Sequence, residues 1–296
     1  MAKKIIACSL SYNADVAMVR ESLKEFRSQV DHIVICDNGS APEIRQGLKG
    51  LETEFPGFIS FVWNEKNLGN AGGLNREIQA AMDAGAYWIM PIDDNSRPTP
   101  NMTNELLAAY EALSESDKAR VGMVKPNYTT EKGLAYKETK PFIAVSGFSS
   151  GELVKADVYQ KIGLYQEDLF IDFVDSEFSH RAFRKGILSL IVPDTILRHQ
   201  RGHPTVRKFL WMTASVPNYP PSRYYYIARN GAYLYLRNFN EYFLHSVHRL
   251  SKFWIFVVPR YLIKAVLFED RKMKKISMVL RGTWDGLRGK LGKLQE

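Results

Sequence analysis

Short apolar runs and longer amphipathic segments alternate along the first 100 residues of the chain. The apolar runs have the length of buried strands, and in the segments between them apolar residues recur every three or four positions, as in helices. Strands are predicted at residues 3–10, 31–37, 57–63 and 87–92, and helices at residues 14–26, at residues 42–51 and around Leu74 and Ile78. Strands and helices that alternate through short connections predict an α/β domain, with a mostly parallel sheet covered by helices on both faces.

The alternation is less regular after residue 100. Further strands are predicted at residues 121–126 and 187–192, and the polar residues 127–141 predict a loop. Residues 146–151, SGFSSG, are small apart from one phenylalanine, so the backbone there can approach another group closely. Residues 170–186 begin as an apolar run and continue as an amphipathic helix.

The C-terminal part is predicted to be a separate helical region, so the expected domains are residues 1–221 and 222–296. Its most apolar stretch, residues 253–268, is interrupted by a proline and two basic residues and falls short of the roughly 20 apolar residues that cross a bilayer. The aromatic residues of this stretch, followed by a basic cluster at residues 271–275, favour a helix pair that lies in a membrane interface. Packing of the same helices against the sheet is the alternative.

The formal net charge of +8 is concentrated in this C-terminal region. Residues 1–240 contain 28 Lys and Arg against 27 Asp and Glu, whereas residues 241–296 contain 12 against 5. The basic region lacks a nucleic-acid docking motif, so nucleic acid is not an expected partner. Cys8 and Cys36 lie in predicted strands without the spacing of a disulfide framework or a zinc site, and the N-terminus does not resemble a signal peptide. The chain is therefore expected in the cytoplasm.

Acidic side chains follow three of the apolar runs. Asp37 follows the second strand, Asp93 and Asp94 follow the fourth, and Asp175 and Glu177 follow the run that begins at residue 170. Ligands of open α/β sheets bind at the carboxyl ends of the strands, so three such placements predict a shared cleft. Adjacent carboxylates suit a hard divalent cation, and such a cation suits a diphosphate. The alternative for Asp93 and Asp94 is a cap of the helix that follows them.

Five motifs occur in a fixed order: CDNGS at 36–40, NEKNLGNAGGLN at 64–75, PIDDN at 91–95, IGLYQEDLFIDFVDSEFSHRAFRKG at 162–186 and RHQRGH at 198–203. Together they resemble the inverting family 2 glycosyltransferases of the GT-A fold, and among them the rhamnosyltransferase-like branch. The resemblance implies a Rossmann-like GT-A domain with a mostly parallel sheet between helices. The C-terminal helical region would follow this domain.

The resemblance places a nucleotide-sugar donor at the first four strands. Asp37 would bind the nucleotide base, and Asp93 would bind the ribose or the donor sugar. The wall around the nucleotide and the sugar would be formed by Asn67, Gly72, Gly73 and Asn75. The structural alternatives are a turn formed by Asp37 and helix capping by Asn70.

The resemblance also implies a divalent cation, Mg²⁺ or Mn²⁺, at the diphosphate. Its protein ligands would be Asp94, Asn95 and His199, and His203 competes with His199 for this role. Asn95 stands where the family more often has an aspartate, so its neutral amide carbonyl would bring less charge to the cation. A lone histidine is also commonly a structural residue.

Asp175, in the sequence FVDSEF, matches the catalytic base of the family. Such a base must reach the acceptor hydroxyl while the diphosphate departs on the opposite face of the sugar. Val174 stands where the family often has a second acid. Capping of the following helix is the structural alternative for Asp175.

The implied activity is transfer of a sugar, with inversion, from a nucleotide diphosphate to a carbohydrate acceptor. L-Rhamnose from dTDP-rhamnose is favoured, followed by galactofuranose or another hexose from a UDP-sugar. The acceptor would be a lipid-linked polysaccharide intermediate on polyprenyl diphosphate, with the enzyme peripheral at the inner face of the cell membrane; a homo-oligomer is left open. The alternative is a non-catalytic, membrane-docked subunit that binds nucleotide sugars. A dinucleotide-dependent oxidoreductase is disfavoured because no GxGxxG follows the first strand.

Overall fold

The computed structural model describes residues 3–130, 133–145, 149–199, 205–209, 212–216, 218–238, 263 and 268–295. The chain forms two compact units. The first unit comprises Met1–Glu167 and Asp175–Gln200, and the second comprises Asp168–Val174 and Arg201–Glu296. Residues 168–174 thus belong to the second unit, although the chain on both sides of them belongs to the first. The expected domains at residues 1–221 and 222–296 stay a prediction.

Strands and helices alternate one by one over residues 5–93, and beyond residue 93 strands and helices also follow one another directly. The strands are β1 Ile5–Ser11, β2 His32–Asp37, β3 Ile59–Trp63, β4 Trp88–Asp93, β5 Ser96–Pro98, β6 Val121–Thr130, β7 Gly133–Leu134, β8 Phe142–Ala144, β9 Leu153–Lys155 and β10 Leu188–His199. The helices are α1 Val16–Phe26, α2 Pro42–Glu54, α3 Gly69–Asp83, α4 Met102–Glu111, α5 Glu115–Arg120, α6 Ala156–Ile162 and α7 Val174–Arg184, with a 3₁₀ turn at Glu167–Leu169.

One sheet organises the first unit, with the strand order β3-β2-β1-β4-β9-β6-β10-β5. Strands β3, β2, β1 and β4 are parallel to one another, and β6 is parallel to β10. Strand β9 is antiparallel to both of its neighbours, and β5 and β8 are antiparallel to β10. The predicted fold class, a mostly parallel sheet between helices, is confirmed.

The central strands are apolar along their length because helices cover both faces of the sheet. Ile6 in β1, Ile33 in β2 and Trp88 in β4 are fully buried. Cys8 and Cys36 are buried free thiols, as the sequence predicts. This core fixes the level at which each parallel strand ends.

The register of β1 with its two neighbours brings two of the predicted acids to one edge of the sheet. Asp37, at the end of β2, pairs with Ser11, and Asp93, at the end of β4, pairs with Leu10. Because neighbouring strands are about 4.8 Å apart, the two aspartates flank the end of β1 at a backbone separation of about 10 Å.

The prediction of a loop over residues 127–141 is wrong at its beginning. Strand β6 continues to Thr130 and pairs with β7. The side chain of Asn127 is buried and fully hydrogen-bonded: its amide donates to the carbonyl oxygens of Tyr136 and Pro193 and accepts from the backbone N–H of Tyr136. A side chain that both donates and accepts allows a buried strand to continue through a polar sequence.

The described part of the second unit contains a hairpin and two helices. They are β11 Thr205–Phe209, β12 Met212–Val216, α8 Pro221–Asn238 and α9 Lys272–Leu287. No helix among the described residues has the length and hydropathy needed to cross a bilayer. Most of the apolar stretch at residues 253–268 lies outside the described residues, so its predicted place in a membrane interface is not addressed.

Helices α8 and α9 pack with unusually close backbones because glycines face the contact. A Cβ atom built on Gly282 would lie 2.3 Å from the carbonyl oxygen of Tyr225, and one built on Gly286 would lie 2.2 Å from that of Arg229. The Tyr225 hydroxyl donates to the Asp285 carboxylate at 2.8 Å across the same contact. The two helices therefore form one closely packed pair.

The substitution Gly282→Ala is expected to lower the free energy of unfolding by about 1–3 kcal/mol, because a methyl group meets a backbone oxygen that cannot rotate away. The matched control is Gly50→Ala in α2, where an added Cβ meets nothing within 4 Å. That change should raise the free energy of unfolding by about 0.5–1 kcal/mol. Denaturant unfolding of both variants checks this, and a Gly282→Ala variant as stable as the wild type would contradict the close packing.

Candidate functional site

Asp37 lies at the end of β2, fully buried, and one of its two oxygens is held by the protein. Its Oδ2 atom accepts from Arg45 Nε at 2.7 Å and from the backbone N–H groups of Gly39 and Ser40, each at 3.3 Å. Its Oδ1 atom is buried and has no hydrogen-bond partner among the described residues. A buried carboxylate oxygen of this kind can accept from an N–H group of a ligand, as the assignment of Asp37 to the nucleotide base requires.

A network of asparagine amides joins the loops that follow β2 and β3. Asn38 Oδ1 accepts from Asn64 Nδ2 at 3.1 Å and from the backbone N–H of Leu68 at 3.0 Å. Asn38 Nδ2 donates to the carbonyl oxygen of Gly69 at 2.9 Å, and Asn67 Oδ1 accepts from the Gly69 N–H at 2.8 Å. Amides suit this position because each one donates and accepts at once. Asn67, predicted to line the donor site, thus also fixes the start of α3.

The glycines predicted to line the donor site allow close packing at the start of α3. A Cβ atom on Gly73 would lie 2.3 Å from Leu10 Cδ1, and one on Gly72 would lie 2.8 Å from Cβ of Leu68, the residue before α3. A larger side chain at Gly73 would crowd Leu10 near the end of β1, which is the edge where Asp37 and Asp93 lie. Gly73 therefore lets α3 lie near this edge, and the contact of both glycines with a donor stays a prediction.

Asn75 holds the segment that leads toward Asp175. Its Nδ2 atom donates to the carbonyl oxygen of Tyr165 and to Glu167 Oε1, each at 2.9 Å, and its Oδ1 atom accepts from the Tyr165 N–H at 2.9 Å. Both amide donors are used inside the protein in this conformation. A direct contact of Asn75 with a donor sugar stays a prediction.

Asp93, Asp94 and Asn95 form the turn between β4 and β5. Burial, reinforced by the neighbouring negative charge of Asp93, raises the pKa of Asp94 to about 6. A divalent cation at this turn would oppose that shift, because it stabilises the ionised carboxylate. The electrostatics of the turn therefore favour the binding of a positively charged group.

Residues 149–151, here called the serine segment, contact both the backbone of Asp93 and the carboxylate of Asp175. The sequence did not predict these contacts. Ser149 Oγ donates to Asp175 Oδ1 at 2.8 Å. Ser150 Oγ accepts from the backbone N–H of Asp93 at 3.0 Å and lies 2.9 Å from Ser96 Oγ. The N–H of Gly151 donates to the carbonyl oxygen of Pro91 at 2.7 Å. The backbone of Asp93 and the carboxylate of Asp175, far apart in sequence, are therefore held by two adjacent serines.

A buried ion pair directly follows the serine segment. Lys125 Nζ and Glu152 Oε2 are 2.5 Å apart, and both side chains are almost fully buried. Burial raises the pKa of Glu152 to about 7, Lys125 opposes this rise, and the negative charge of Asp175 adds to it. The pair ties β6 to the segment that holds the carboxylate of Asp175.

The metal ligands predicted from the sequence are only partly described. His199 is the last residue of β10 and pairs in register with Ser96, next to Asn95. The side chain of His199 and the whole of His203 lie outside the described part of the chain. Within the described residues, no group of three or more His, Cys, Asp or Glu could hold a metal ion. Mg²⁺ at phosphate sites is commonly bound by one or two carboxylates plus substrate oxygens, so Asp94 and Asn95 fit as the protein's part of such a site.

Five residues at the site were not predicted from the sequence: Arg45, Asn64, Ser149, Ser150 and Glu152. The small residues at 146–151 were a signal for close backbone approach, but they did not indicate which group they approach. Arg45 follows Asp37 by eight residues and reaches it from the first turn of α2. Neither spacing is specific enough to predict the contact.

Comparison with known proteins finds a family match within the first unit. Residues 8–145 match the family model described as Glycosyl transferase family 2. The chain is 26% identical over 308 residues to the dTDP-rhamnosyl transferase RfbF of Shigella flexneri, covering 99% of this chain and 98% of that protein. It is 27% identical over 176 residues to the galactofuranosyltransferase GlfT1 of Mycolicibacterium smegmatis, covering 53% of this chain and 57% of that protein.

Solved structures share the fold at low sequence identity. The mannosyltransferase PcManGT from Pyrobaculum calidifontis, solved in complex with GDP-Man and Mn²⁺, aligns with a TM-score of 0.60 at 12% identity and covers 97% of this chain and 88% of that one. S. aureus TarS aligns with a TM-score of 0.55 at 12% identity and covers 95% of this chain and 55% of that one. The parallel sheet that brings Asp37 and Asp93 to one edge is thus the GT-A fold. The chain is a glycosyltransferase whose residues 8–145 match the family 2 model.

Proposed function

We propose that this glycosyltransferase moves an L-rhamnosyl group from dTDP-rhamnose to a carbohydrate acceptor with inversion at the anomeric carbon. The hydrogen bond from Ser149 to Asp175 is the observation that carries the mechanism, because it orients a carboxylate beside the serine that accepts from the backbone N–H of Asp93. Similarity to dTDP-rhamnosyl transferase RfbF along nearly the whole chain supports the choice of donor.

Asp175 acts as the general base. It accepts the proton of the acceptor hydroxyl while that oxygen bonds to the anomeric carbon, and the bond from this carbon to the diphosphate oxygen breaks. Attack and departure on opposite faces of the sugar give inversion in one displacement. Ser149 donates to one oxygen of the carboxylate and so limits its rotation. The reaction also requires that the negative charge left on the nucleoside diphosphate be stabilised.

The donor side is formed by the edge of the sheet. Asp37 accepts from the base through the oxygen that Arg45 leaves open, and Asp93 binds the ribose or the donor sugar. The remaining donor-site residues are Asn67, Gly72, Gly73, Asn75 and Asp94. Asp94, Asn95 and His199 are the protein ligands proposed for Mg²⁺ or Mn²⁺. When bound, such a cation would offset the charge that develops on the leaving diphosphate.

The substitution Asp175→Asn is expected to lower the transfer rate by about 10²–10⁴-fold, because the amide cannot accept the proton. Binding of dTDP should be unchanged, since the replacement is isosteric and the nucleotide is held at the other strands. The matched control is Asp194→Asn, the same chemical change on an exposed carboxylate of the first unit. Initial transfer rates and nucleotide titrations measure both effects, and a variant with more than about a tenth of the wild-type rate would exclude Asp175 as the base.

Metal removal tests the proposed cation at the β4–β5 turn. Excess EDTA is expected to abolish transfer, and Mg²⁺ or Mn²⁺ should restore it. The substitution Asn95→Asp should lower the cation concentration that gives half-maximal rate, because it adds an anionic ligand for a hard cation. Asn104→Asp, which adds the same charge on the exposed face of α4, should not. Equal wild-type rates in EDTA and in Mg²⁺ would exclude metal dependence.

A screen of nucleotide sugars decides between the candidate donors. Turnover of dTDP-rhamnose above UDP-galactofuranose and other UDP-hexoses is the expected result. The similarity to galactofuranosyltransferase GlfT1 makes UDP-galactofuranose the second candidate. Binding without turnover of any of these donors would overturn the proposal and favour the non-catalytic subunit.

The acceptor is proposed to be a lipid-linked glycan intermediate on polyprenyl diphosphate, reached from the inner face of the cell membrane. Helix α9 supports this placement with an exposed apolar face. Met273, Leu280, Trp284 and Leu287 are exposed and recur at the spacing of one helical face. The opposite face contains Gly282 and Gly286, which pack against α8.

Basic residues border this exposed face of α9. Lys274, Arg281 and Arg288 lie along one side of it, and the Arg288 guanidinium is 5.6 Å from the ring centroid of Trp284. Each basic residue near an anionic leaflet contributes about 1 kcal/mol to binding, so a helix of this kind can hold a protein on a membrane reversibly. The membrane contact thus involves α9 as well as the apolar stretch suggested by the sequence.

The substitution Leu280→Glu is expected to lower sedimentation of the full chain with anionic vesicles at low salt, because it places a negative charge in the apolar face. The matched control is Leu134→Glu, the same change at an exposed leucine of the first unit. Transfer to a soluble acceptor should be unchanged in both. If the wild type does not bind the vesicles, and Leu280→Glu instead dissociates a dimer, this face is a contact between two copies of the chain.

A further inference from the structure

The seven residues before Asp175 adopt a backbone that needs outside support. Phe170, Asp172 and Phe173 have φ angles of 62°, 65° and 65°, in the left-handed region that residues with a Cβ rarely adopt. None of these residues is glycine, so the conformation is strained unless surrounding contacts hold it. Residues 168–174, here called the base loop, belong to the second unit.

The side chain of Asn230 in α8 holds the base loop by contacting carbonyl oxygens of the loop's main chain. Its Nδ2 atom lies 2.9 Å from each of three carbonyl oxygens, those of Leu169, Ile171 and Asp172. Asn230 is fully buried, and its Oδ1 atom accepts from Arg229 Nε at 2.8 Å. The amide is therefore fixed in the orientation in which its donors face the base loop.

Arg229 of α8 holds the beginning of the same loop. Its guanidinium is buried and donates to the carbonyl oxygens of Asp168 and Leu169, at 3.0 and 2.9 Å, and to that of Gly292. A buried guanidinium needs partners for its donors, and here they are three main-chain oxygens and the amide oxygen of Asn230. The charge of Arg229 is thus used to fix backbone.

Two side-chain contacts complete the attachment of the base loop. Arg223 forms a bidentate ion pair with Asp172, with Nη2 3.0 Å from Oδ1 and Nε 3.1 Å from Oδ2. The ring of Phe170 stacks on that of Tyr226, with centroids 5.0 Å apart. Side chains of α8 therefore contact the side chains of two of the residues with positive φ, and Asp172 is also held through its carbonyl oxygen.

We infer that Asn230 and Arg229 are positioning residues for the general base. They hold the base loop in its strained conformation, and the loop continues through Val174 into Asp175 at the start of α7. The inference rests on the proposed function of Asp175. Without the Asn230 amide, the loop can relax to commoner φ values, and the carboxylate of Asp175 moves relative to the acceptor. A shift of about 1 Å in a catalytic group can lower a rate by about 10²-fold.

The test is a double-mutant cycle in the full chain. Asn230→Ala alone is expected to lower kcat by about 10²-fold and to leave the Kd for dTDP unchanged. In the Asp175→Asn background the same change should have almost no effect, because the group that it misplaces no longer accepts the proton. The matched control is Tyr224→Phe, which removes a buried hydroxyl of α8 that donates to Glu269, and none of the contacts described for the base loop involves this hydroxyl. It should retain the wild-type kcat.

The outcomes separate this inference from the proposed function. A wild-type chain without transferase activity would overturn both. An active wild type in which Asn230→Ala retains its rate, or lowers it by the same factor with and without Asp175→Asn, would overturn only the positioning role. If Asn230→Ala does not fold, Arg223→Gln carries the same cycle, because it removes the partly exposed ion pair with Asp172 and leaves the buried amide intact.

Discussion

The parallel pairing of β1 with both β2 and β4 is the constraint on which the site depends. Strands β2 and β4 each end in an aspartate, and these two residues pair with adjacent residues of β1, Ser11 and Leu10. Side chains hold the loops beyond this edge, in addition to backbone hydrogen bonds such as that from the Asn38 N–H to the Ser11 carbonyl oxygen. Asn38 joins the loops after β2 and β3, and Ser150 holds the turn after β4. Small polar residues thus continue the order of the sheet into the site.

Charge at the site is balanced at its borders. Arg45 pairs with Asp37 and Lys125 pairs with Glu152, both close to the acids assigned to the donor and the acceptor. At the β4–β5 turn, the raised pKa of Asp94 reflects burial next to a second carboxylate. A site with this distribution favours a ligand that brings positive charge to the turn. The proposed cation–diphosphate pair has that character.

The sequence predicted the sheet, and the placement of Asp37 and Asp93 at one edge of it, because strand periodicity and strand ends are local properties. It did not predict that β6 would continue to Thr130, since the contacts of Asn127 with Tyr136 and Pro193 depend on the folded chain. The contact of Ser149 with Asp175 is also long-range, and nothing near either residue in the sequence points to the other. The family resemblance assigned roles only to residues that lie within the matched motifs. Residues outside the motifs that hold them in place were not predicted, because their contacts are long-range in the sequence.

The excursion of residues 168–174 into the second unit has a consequence for how this chain can be recombined. A single crossover near residue 200 would join one protein's base loop to another protein's α8. The hydrogen bonds between Asn230 and the loop carbonyls would then have to form between residues from two different proteins. Chimaeras that exchange the C-terminal helices between related enzymes should therefore exchange the base loop with them. The second unit is a module whose sequence is discontinuous, and exchanging it requires three junctions in the chain, at residues 167/168, 174/175 and 200/201, instead of one.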